Sequence, residues 1–257
     1  VTLSIAKTAQ PAPGETLCYY YHENVYRPSA ESHTFKEISQ MGLEMLGAVG
    51  EAQVQQAVRL AAQSLAQLEA AWVLEVSHMG YLFGLFDALG VPENARPGLL
   101  EKLREKNAHE LRRAAQAAGL DAAGAAALTG LLELSGSCEE TLAKAERACR
   151  NDRMRAAAAE LRALAKTLEA SGGVVRLDLS LAGEMEYYNG LVFQGYLQGL
   201  PRPLLKGGRY DLLMQKFTPG AGAIGFAVYL DELDRLSAPL PPVQKNSTDK
   251  VMLNVAL

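Results

Sequence analysis

A chain of 257 residues, 49% of them hydrophobic and 21% charged, has the composition of a globular protein and can bury a sizeable core. Its net charge of −4 excludes a broadly basic surface for nucleic acid or membrane lipid. Three cysteines and four histidines show no metal-ligand spacing, and no apolar run suits a membrane span or signal peptide, so we expect a cytoplasmic protein that binds no metal, cofactor or membrane.

Two segments near the start of the chain predict a β-hairpin. In "FKEISQMGLEMLG", polar Gln40 and Glu44 alternate with apolar residues, which is the period of a half-buried strand. The segment "ETLCYYYHENVYR" predicts the partner strand, and "PSAESH" predicts the turn between the two strands. Gln40 and Glu44 should therefore point the same way, with Arg27 near the end of the partner strand.

The rest of the chain predicts an α+β fold. Residues 51–72 have a helical period, "VLEVSH" predicts a strand, and residues 92–170 predict packed helices that break at "AAGLDAAG" and at "LSGSCEE", where Ser137 suggests an N-cap. Strands are predicted at "VVRLDLSL" and, as a hairpin-like pair, at "YYNGLVFQGYLQG", whereas "AIGFAVYLDELDRL" has apolar residues at helical spacing. We expect one domain over residues 1–236, an antiparallel sheet flanked by helices with a helical insertion at about 92–170.

The segment "KGGRYDLLMQKF" is the strongest candidate for a ligand site. A glycine pair followed by Arg209 and Asp211 lacks the pattern of a P-loop or a dinucleotide fingerprint, and such a pair by itself indicates a tight turn. Glu44 on a strand indicates either a partnered carboxylate in a pocket or a solvated strand face. The residues alone therefore support an α+β domain with one polar pocket.

Three segments, in this order, resemble histidyl-tRNA synthetase, a class II aminoacyl-tRNA synthetase. "NVYRPSAESHTFKEISQMGLEMLG" is similar to motif 2, "EYYNGLVFQ" to the histidine-recognition segment, and "KGGRYDLLMQKF" with "AIGFAVYLDEL" to the GGRYD turn and motif 3. The resemblance covers residues 1–90 and 170–236. It implies a class II fold and a histidine pocket in which Gln40 and Glu44 contact the amino group and Tyr188 lies near the imidazole. The residues that it implies for histidine binding are Thr2, Arg27, Gln40, Glu44, Tyr187, Tyr188 and Arg209.

Departures from the synthetase pattern bear on catalysis. Glu232 stands where motif 3 carries an arginine that holds the ATP phosphates, and Gly183 stands where the histidine segment opens with an arginine. Arg27 is the remaining motif 2 arginine. A carboxylate repels triphosphate, so the cationic apparatus for adenylate formation is largely missing.

A synthetase-like core of this kind resembles the regulatory subunits of ATP phosphoribosyltransferase. That resemblance implies a non-catalytic chain without catalytic residues or cofactor. Such a chain is required for activity and for histidine feedback in the first step of histidine biosynthesis. The implied partner is the short-form catalytic subunit, with this chain a homodimer within a hetero-oligomer, histidine as effector, and no tRNA bound.

The end of the chain suggests a fusion. Residues 237–250 have the composition of a linker, and "VMLNVAL" at 251–257 resembles the opening strand of the catalytic subunit, although a plain terminal strand would look the same. We expect the regulator to continue into a catalytic subunit. Two other functions remain open: a divergent histidine–tRNA ligase domain, and an amino-acid sensor with another partner.

Overall fold

The computed structural model describes residues 1–28, 35–68, 70–169, 173–183 and 187–234. The predicted turn "PSAESH" beyond Pro28, the predicted linker at 237–250 and the segment 251–257 lie outside these ranges. Within them, no helix is both long and apolar enough to cross a bilayer.

Eight strands in the described ranges form one mixed sheet in the order β1-β2-β8-β7-β6-β3-β5-β4. Every neighbouring pair is antiparallel except β3 and β5, which are parallel. The strands are β1 (Thr16–Pro28), β2 (Phe35–Gly47), β3 (Trp72–His78), β4 (Ser135–Ser137), β5 (Val174–Asp178), β6 (Leu191–Leu197), β7 (Leu205–Arg209) and β8 (Gly222–Tyr229).

Helices flank this sheet. They are α1 (Thr2–Thr8), α2 (Glu51–Ala66), α3 (Met79–Ala88), α4 (Arg96–Arg104), α5 (Ala108–Ala117), α6 (Ala122–Thr129), α7 (Cys138–Ala148), α8 (Asp152–Leu168), α9 (Asp211–Gln215) and α10 (Leu230–Leu233). Helices α4 to α8 occupy the stretch where the composition predicts packed helices, and their assignment as an insertion stays a prediction.

The two faces of the sheet differ in character. Because side chains alternate along a strand, Glu44 and Met45 of β2 lie on opposite faces, which we call the front and the back. The back face carries Met45, Phe193 and Phe226 in the main apolar core, under α2 and α8. Leu65 of α2 lies close over the back of β6, where a Cβ at Gly195 would be 2.7 Å from its Cδ1 atom. The front face is more polar and carries the candidate site.

Several predicted elements are confirmed and others are wrong. The hairpin, the helix after residue 51 and the strand "VLEVSH" are present, although the helix ends at Ala66 and Trp72 already belongs to β3. Helix α7 begins after Ser137 as predicted, but the Ser137 hydroxyl donates to the Glu140 carboxylate at 3.1 Å and not to a backbone group.

The helix predicted over 223–236 is wrong in its first half, because Gly222–Tyr229 is strand β8. This segment lies between β2 and β7, and both neighbours hydrogen-bond it, so sheet pairing prevails over the helical spacing of its apolar residues. The hairpin predicted over 187–199 is the single strand Leu191–Leu197 preceded by a turn. Helices α1, α3 and α9 and strands β4 and β7 were not predicted. The tight turn expected at the glycine pair is wrong, because Gly207 and Gly208 lie within β7 and neither has a positive φ.

Candidate functional site

The front face is centred on a buried carboxylate. Glu44 is 2% exposed. Its Oε1 atom accepts a hydrogen bond from the Thr2 hydroxyl at 2.5 Å, and its Oε2 atom accepts one from the Tyr210 hydroxyl. Burial raises the pKa of Glu44 to about 7, and the two hydroxyl donors oppose that rise in pKa only in part. The carboxylate is thus poised between its two forms near neutral pH, and a ligand N–H group or cation would favour the ionised form.

Three glycines allow large side chains to lie flat on the strands. A Cβ atom at Gly225 of β8 would be 1.8 Å from the Glu44 Oε2 atom, and one at Gly42 of β2 would be 2.5 Å from the Tyr21 ring. At Gly208 of β7 a Cβ would be 2.6 Å from the Tyr188 ring. Only glycine fits beneath these groups, so the sequence of the strands shapes the floor of the site.

Tyrosine rings surround the carboxylate. The ring centroids of Tyr187 and Tyr188 are 4.6 Å apart in an edge-on arrangement, and those of Tyr187 and Tyr210 are 5.3 Å apart. Burial and the nearby Glu44 charge raise the pKa of Tyr21, Tyr187 and Tyr210 well above the usual value. These phenols therefore stay neutral and can donate hydrogen bonds next to a flat aromatic or cationic ligand.

Gln40 lies on the same strand face, four residues from Glu44. It is 5% exposed, and no residue in the described ranges hydrogen-bonds its side chain. Its amide atoms are not among the fully buried atoms that lack a partner, so this amide can bind water or a ligand. Gln40 is paired in register with Tyr229 of β8. Burial raises the pKa of Tyr229, and a hydrogen bond with the nearby Arg27 guanidinium opposes that rise only in part. The Arg27 side chain therefore lies near the Gln40 end of the front face and not near the Glu44 end.

Arg209 is on the other side of the sheet. It pairs in register with Ile224 and follows Gly208, which faces the front. Its guanidinium donates to the Asp211 carboxylate at 2.8 Å and to the Val49 carbonyl at 3.3 Å. Of the seven residues that the resemblance implies, the structure brings Thr2, Glu44, Tyr187 and Tyr188 together, with Gln40 further along the same face. Arg27 reaches only the Gln40 end of this face, through Tyr229, and Arg209 is not brought to the face at all.

Two tyrosines of the site were missed from the sequence. Tyr21 shares the face of Glu44 through the hairpin register, which pairs Tyr19 with Glu44 and Tyr21 with Gly42. The alternation of "CYYYH" could have identified it, but only with the register known. Tyr210 belongs to the GGRYD turn, and its hydroxyl is recognisable as a partner of Glu44 only in three dimensions.

The positions that depart from the synthetase pattern have distinct surroundings. A Cβ atom at Gly183 would be 2.5 Å from the Tyr188 ring, so a larger residue would displace that ring. Glu232 of α10 is buried at 6% exposure, and its neighbour Asp231 forms an ion pair with Lys36 at 2.9 Å. No cluster of His, Cys, Asp or Glu in the described ranges could hold a metal ion.

Comparisons of the sequence with known proteins agree on one family. A sequence model of histidyl-tRNA synthetase matches residues 1–233. An ATP phosphoribosyltransferase regulatory subunit of Desulfitobacterium hafniense is 33% identical over 217 residues, which cover 83% of this chain and 55% of the relative. Other curated relatives at 30–36% identity have the same name. The chain spans about half the length of the curated relatives that it matches.

Solved structures agree with this result. A structure described as an ATP phosphoribosyltransferase regulatory subunit/histidyl-tRNA synthetase from Bacillus halodurans C is 31% identical, with a TM-score of 0.76 over 92% of this chain and 62% of that chain. An ATP phosphoribosyl transferase complex from Thermotoga maritima contains a chain with a TM-score of 0.68 at 19% identity, over 85% of this chain and 74% of that chain, a likeness in fold alone. The predicted α+β, class II synthetase-like fold is confirmed.

Proposed function

Because the chain belongs to the histidyl-tRNA synthetase family, we propose that it is a non-catalytic regulatory subunit of ATP phosphoribosyltransferase. The observation that carries the proposal is the shared name of relatives aligned over most of this chain. The subunit is required for activity and for histidine feedback in the first step of histidine biosynthesis. It acts in the cytoplasm with a short-form catalytic subunit, as a homodimer within a hetero-oligomer. A natural fusion through 237–250 is part of the same proposal.

Histidine is the ligand that the front face suits best. The Glu44 carboxylate lies among flat tyrosine rings, which match an imidazole better than a hydrated ammonium group. The usual pKa of imidazole, about 6.5, is also near the pKa of about 7 at Glu44, so an imidazole N–H can donate to the carboxylate at neutral pH. The amino group then lies towards Gln40, whose side chain hydrogen-bonds no residue in the described ranges. This revises the expectation that both residues hold the amino group.

The spacing of the two anchors supports this orientation. Four residues of strand separate the Cα atoms of Gln40 and Glu44 by about 13–14 Å. Histidine spans about 5–6 Å from its distal ring nitrogen to its amino nitrogen, and a hydrogen bond at each end adds about 2.8 Å. The ligand therefore bridges the two residues with a modest lean of their side chains.

Features of the same face argue against adenylate chemistry. Cations that would hold triphosphate are replaced by Gly183, against which Tyr188 packs, and by the buried Glu232. The positive charge of Lys36 is already directed to Asp231. Transition-state stabilisation in phosphate chemistry depends on preorganised cations, and the divergent histidine–tRNA ligase is accordingly the second choice.

Two measurements test the proposal. Calorimetric titration of the full-length protein with histidine, and separately with ATP, should give binding of histidine alone. Addition of the protein to a short-form catalytic subunit should raise phosphoribosyl transfer from phosphoribosyl pyrophosphate to ATP, and histidine should then inhibit that activity. ATP binding with adenylate formation would indicate the ligase. If the subunit neither activates the transferase nor confers histidine inhibition, the proposed role is wrong.

A further inference from the structure

The front-facing residues of β8 change from small to large along the site. Gly225 pairs in register with Glu44, and Tyr229 pairs with Gln40, so Gly225, Ala227 and Tyr229 all face the front. Glycine and alanine leave room above the strand. Tyr229 is half-buried and is the first of the three to carry a large side chain. The space above β8 is therefore bounded by a tyrosine in the row of Gln40.

Tyr229 meets Arg27 across the front of β2. Tyr229 stands on β8 and Arg27 on β1, and these strands flank β2 on its two sides. The Arg27 guanidinium donates a hydrogen bond to the Tyr229 hydroxyl. Because the two strands are about 10 Å apart, both side chains must lean over β2 to meet. Arg27 pairs in register with Lys36, four residues beyond Gln40, so the contact lies on the side of Gln40 that faces away from Glu44.

The surroundings of this contact are those of a closed end. Ile38, the next front-facing residue of β2 after Gln40, is half-buried, although the pairing of β8 with β2 stops at Gln40. Helix α10 follows Tyr229 directly and packs against β2 at this end. On the other side, the Tyr229 phenol is close enough to Tyr21 and Tyr187 to raise the pKa of both. Tyr229 thus stands between the tyrosine rings of the site and the outer part of the hairpin.

The α-carbon of the proposed ligand lies at the same end. In the proposed orientation, the imidazole is at Glu44 and the amino group is towards Gln40. Because the amino and carboxyl groups share one carbon atom, the carboxylate also lies in the row of Gln40 and Tyr229. A group attached through the carboxyl would point past Gln40, into the Tyr229 and Arg27 side chains. One added residue needs about 3.3–3.6 Å of further length, and displacing a packed ring by that much is costly.

We propose that Tyr229, held in place by Arg27, closes the Gln40 end of the site, so that the site accepts a free amino acid and rejects ligands extended through the carboxyl group, such as peptides. The proposal rests on the proposed histidine function and adds the residue that limits the length of the ligand. The ring of Tyr229 provides the barrier, and its hydroxyl serves to hold the ring in position.

The test compares two ligands on matched variants. Histidine and the dipeptide histidylglycine, which adds one residue at the carboxyl group, are titrated calorimetrically into the full-length wild type, Tyr229→Ala and Tyr229→Phe. Wild type should bind the dipeptide at least ~10-fold more weakly than histidine. We expect Tyr229→Ala to bind the dipeptide at least ~10-fold more tightly than wild type does, and histidine within about threefold of wild type. Tyr229→Phe keeps the ring and should keep most of the discrimination. Tyr20→Ala removes a 90% exposed tyrosine from the back of the same hairpin and should change neither affinity.

The outcomes separate the two proposals. If histidine binds and Tyr229→Ala leaves the ratio of the two affinities unchanged, the role of Tyr229 is wrong while the histidine site stands. Equal binding of both ligands to wild type leads to the same conclusion, because that end of the site is then open. A change of the ratio in Tyr229→Phe as large as in Tyr229→Ala would also overturn the role, since the released Arg27 and not the ring would then decide. Tyr229→Leu, which loses less packing, replaces the alanine variant if that variant does not fold. If wild type binds neither ligand, the histidine site itself fails, and the role of Tyr229 fails with it.

Discussion

Replacing Glu44 by glutamine should stabilise the ligand-free protein at alkaline pH and leave its stability nearly unchanged in acid. Folding raises the pKa of this carboxyl from the usual 4.5 to about 7 because the group is buried. Between these values the folded state holds a proton that the unfolded state releases, so the free energy of unfolding falls as pH rises. At about 1.4 kcal/mol per pH unit, the penalty in wild type reaches about 3 kcal/mol above pH 7. Glutamine does not ionise, and its amide can still pair with the hydroxyls of Thr2 and Tyr210.

Urea unfolding of wild type and Glu44→Gln at pH 5 and pH 8.5 measures this difference. The variant should gain about 2.5 kcal/mol over wild type between the two pH values, because a small part of the penalty is already present at pH 5. Any constant effect of the substitution cancels, because each protein is compared with itself. Glu101→Gln on α4 removes an exposed carboxylate and should show no such gain. A stability difference between Glu44→Gln and wild type that is the same at both pH values would refute the reasoning.

Three further predictions concern the same face and its support. Glu44→Ala should weaken histidine binding by roughly 1.5–3 kcal/mol through loss of a charged hydrogen bond; unchanged affinity in calorimetry would place the inhibitor site elsewhere. Gly225→Ala should lower stability by about 1–3 kcal/mol and abolish histidine binding, because its Cβ would lie 1.8 Å from the Glu44 carboxylate. Gly98→Ala in α4, where nothing lies within 4 Å, is the control and should be neutral or stabilising in the same thermal melts. Lys106 has a φ of 52° and binds the 3% exposed Asp178 at 2.8 Å. Lys106→Gly should thus be about 1 kcal/mol more stable than Lys106→Ala, although both lose the ion pair, and equal melting temperatures would contradict backbone strain there.

The elements predicted correctly are those in which apolar and polar residues alternate regularly or recur at helical spacing on one face. In β2, polar residues alternate with apolar ones because one face joins the core and the other lines the site, and this strand was identified with its correct facing. Strand β8 has little alternation to detect, since it is buried on most of its length and its glycines lie under Glu44 and beside Asp211. Its apolar residues fell by chance at helical spacing. Only the ladders from β2 and β7 on its two edges decide its conformation.

The site was predicted in part, for a related reason. Residues on one strand, such as Gln40 and Glu44, can be assigned to one face from alternation alone. The facing of Arg209 depends on how "KGGR" pairs with β8, and a shift of one residue reverses it. The register that pairs Gly208 with Gly225 directs Arg209 to the back and Lys206 to the front. The resemblance names residue types, whereas the pairing determines which of them share a face.

The proposed histidine contacts lie on a different part of the fold from the two positions that depart from the synthetase pattern. Glu44 and Gln40 stand on β2, which is hydrogen-bonded to β1 on one side and to β8 on the other. Their spacing is therefore fixed by the backbone ladders and the core beneath them, and it does not depend on the segments that carry adenylate chemistry. Glu232 belongs to a four-residue helix and Gly183 to an irregular stretch before β6, so a change of charge there leaves the strands in place. A synthetase-like fold can in this way lose its affinity for triphosphate and keep the geometry for an amino acid, which is the combination that a histidine-responsive regulator needs.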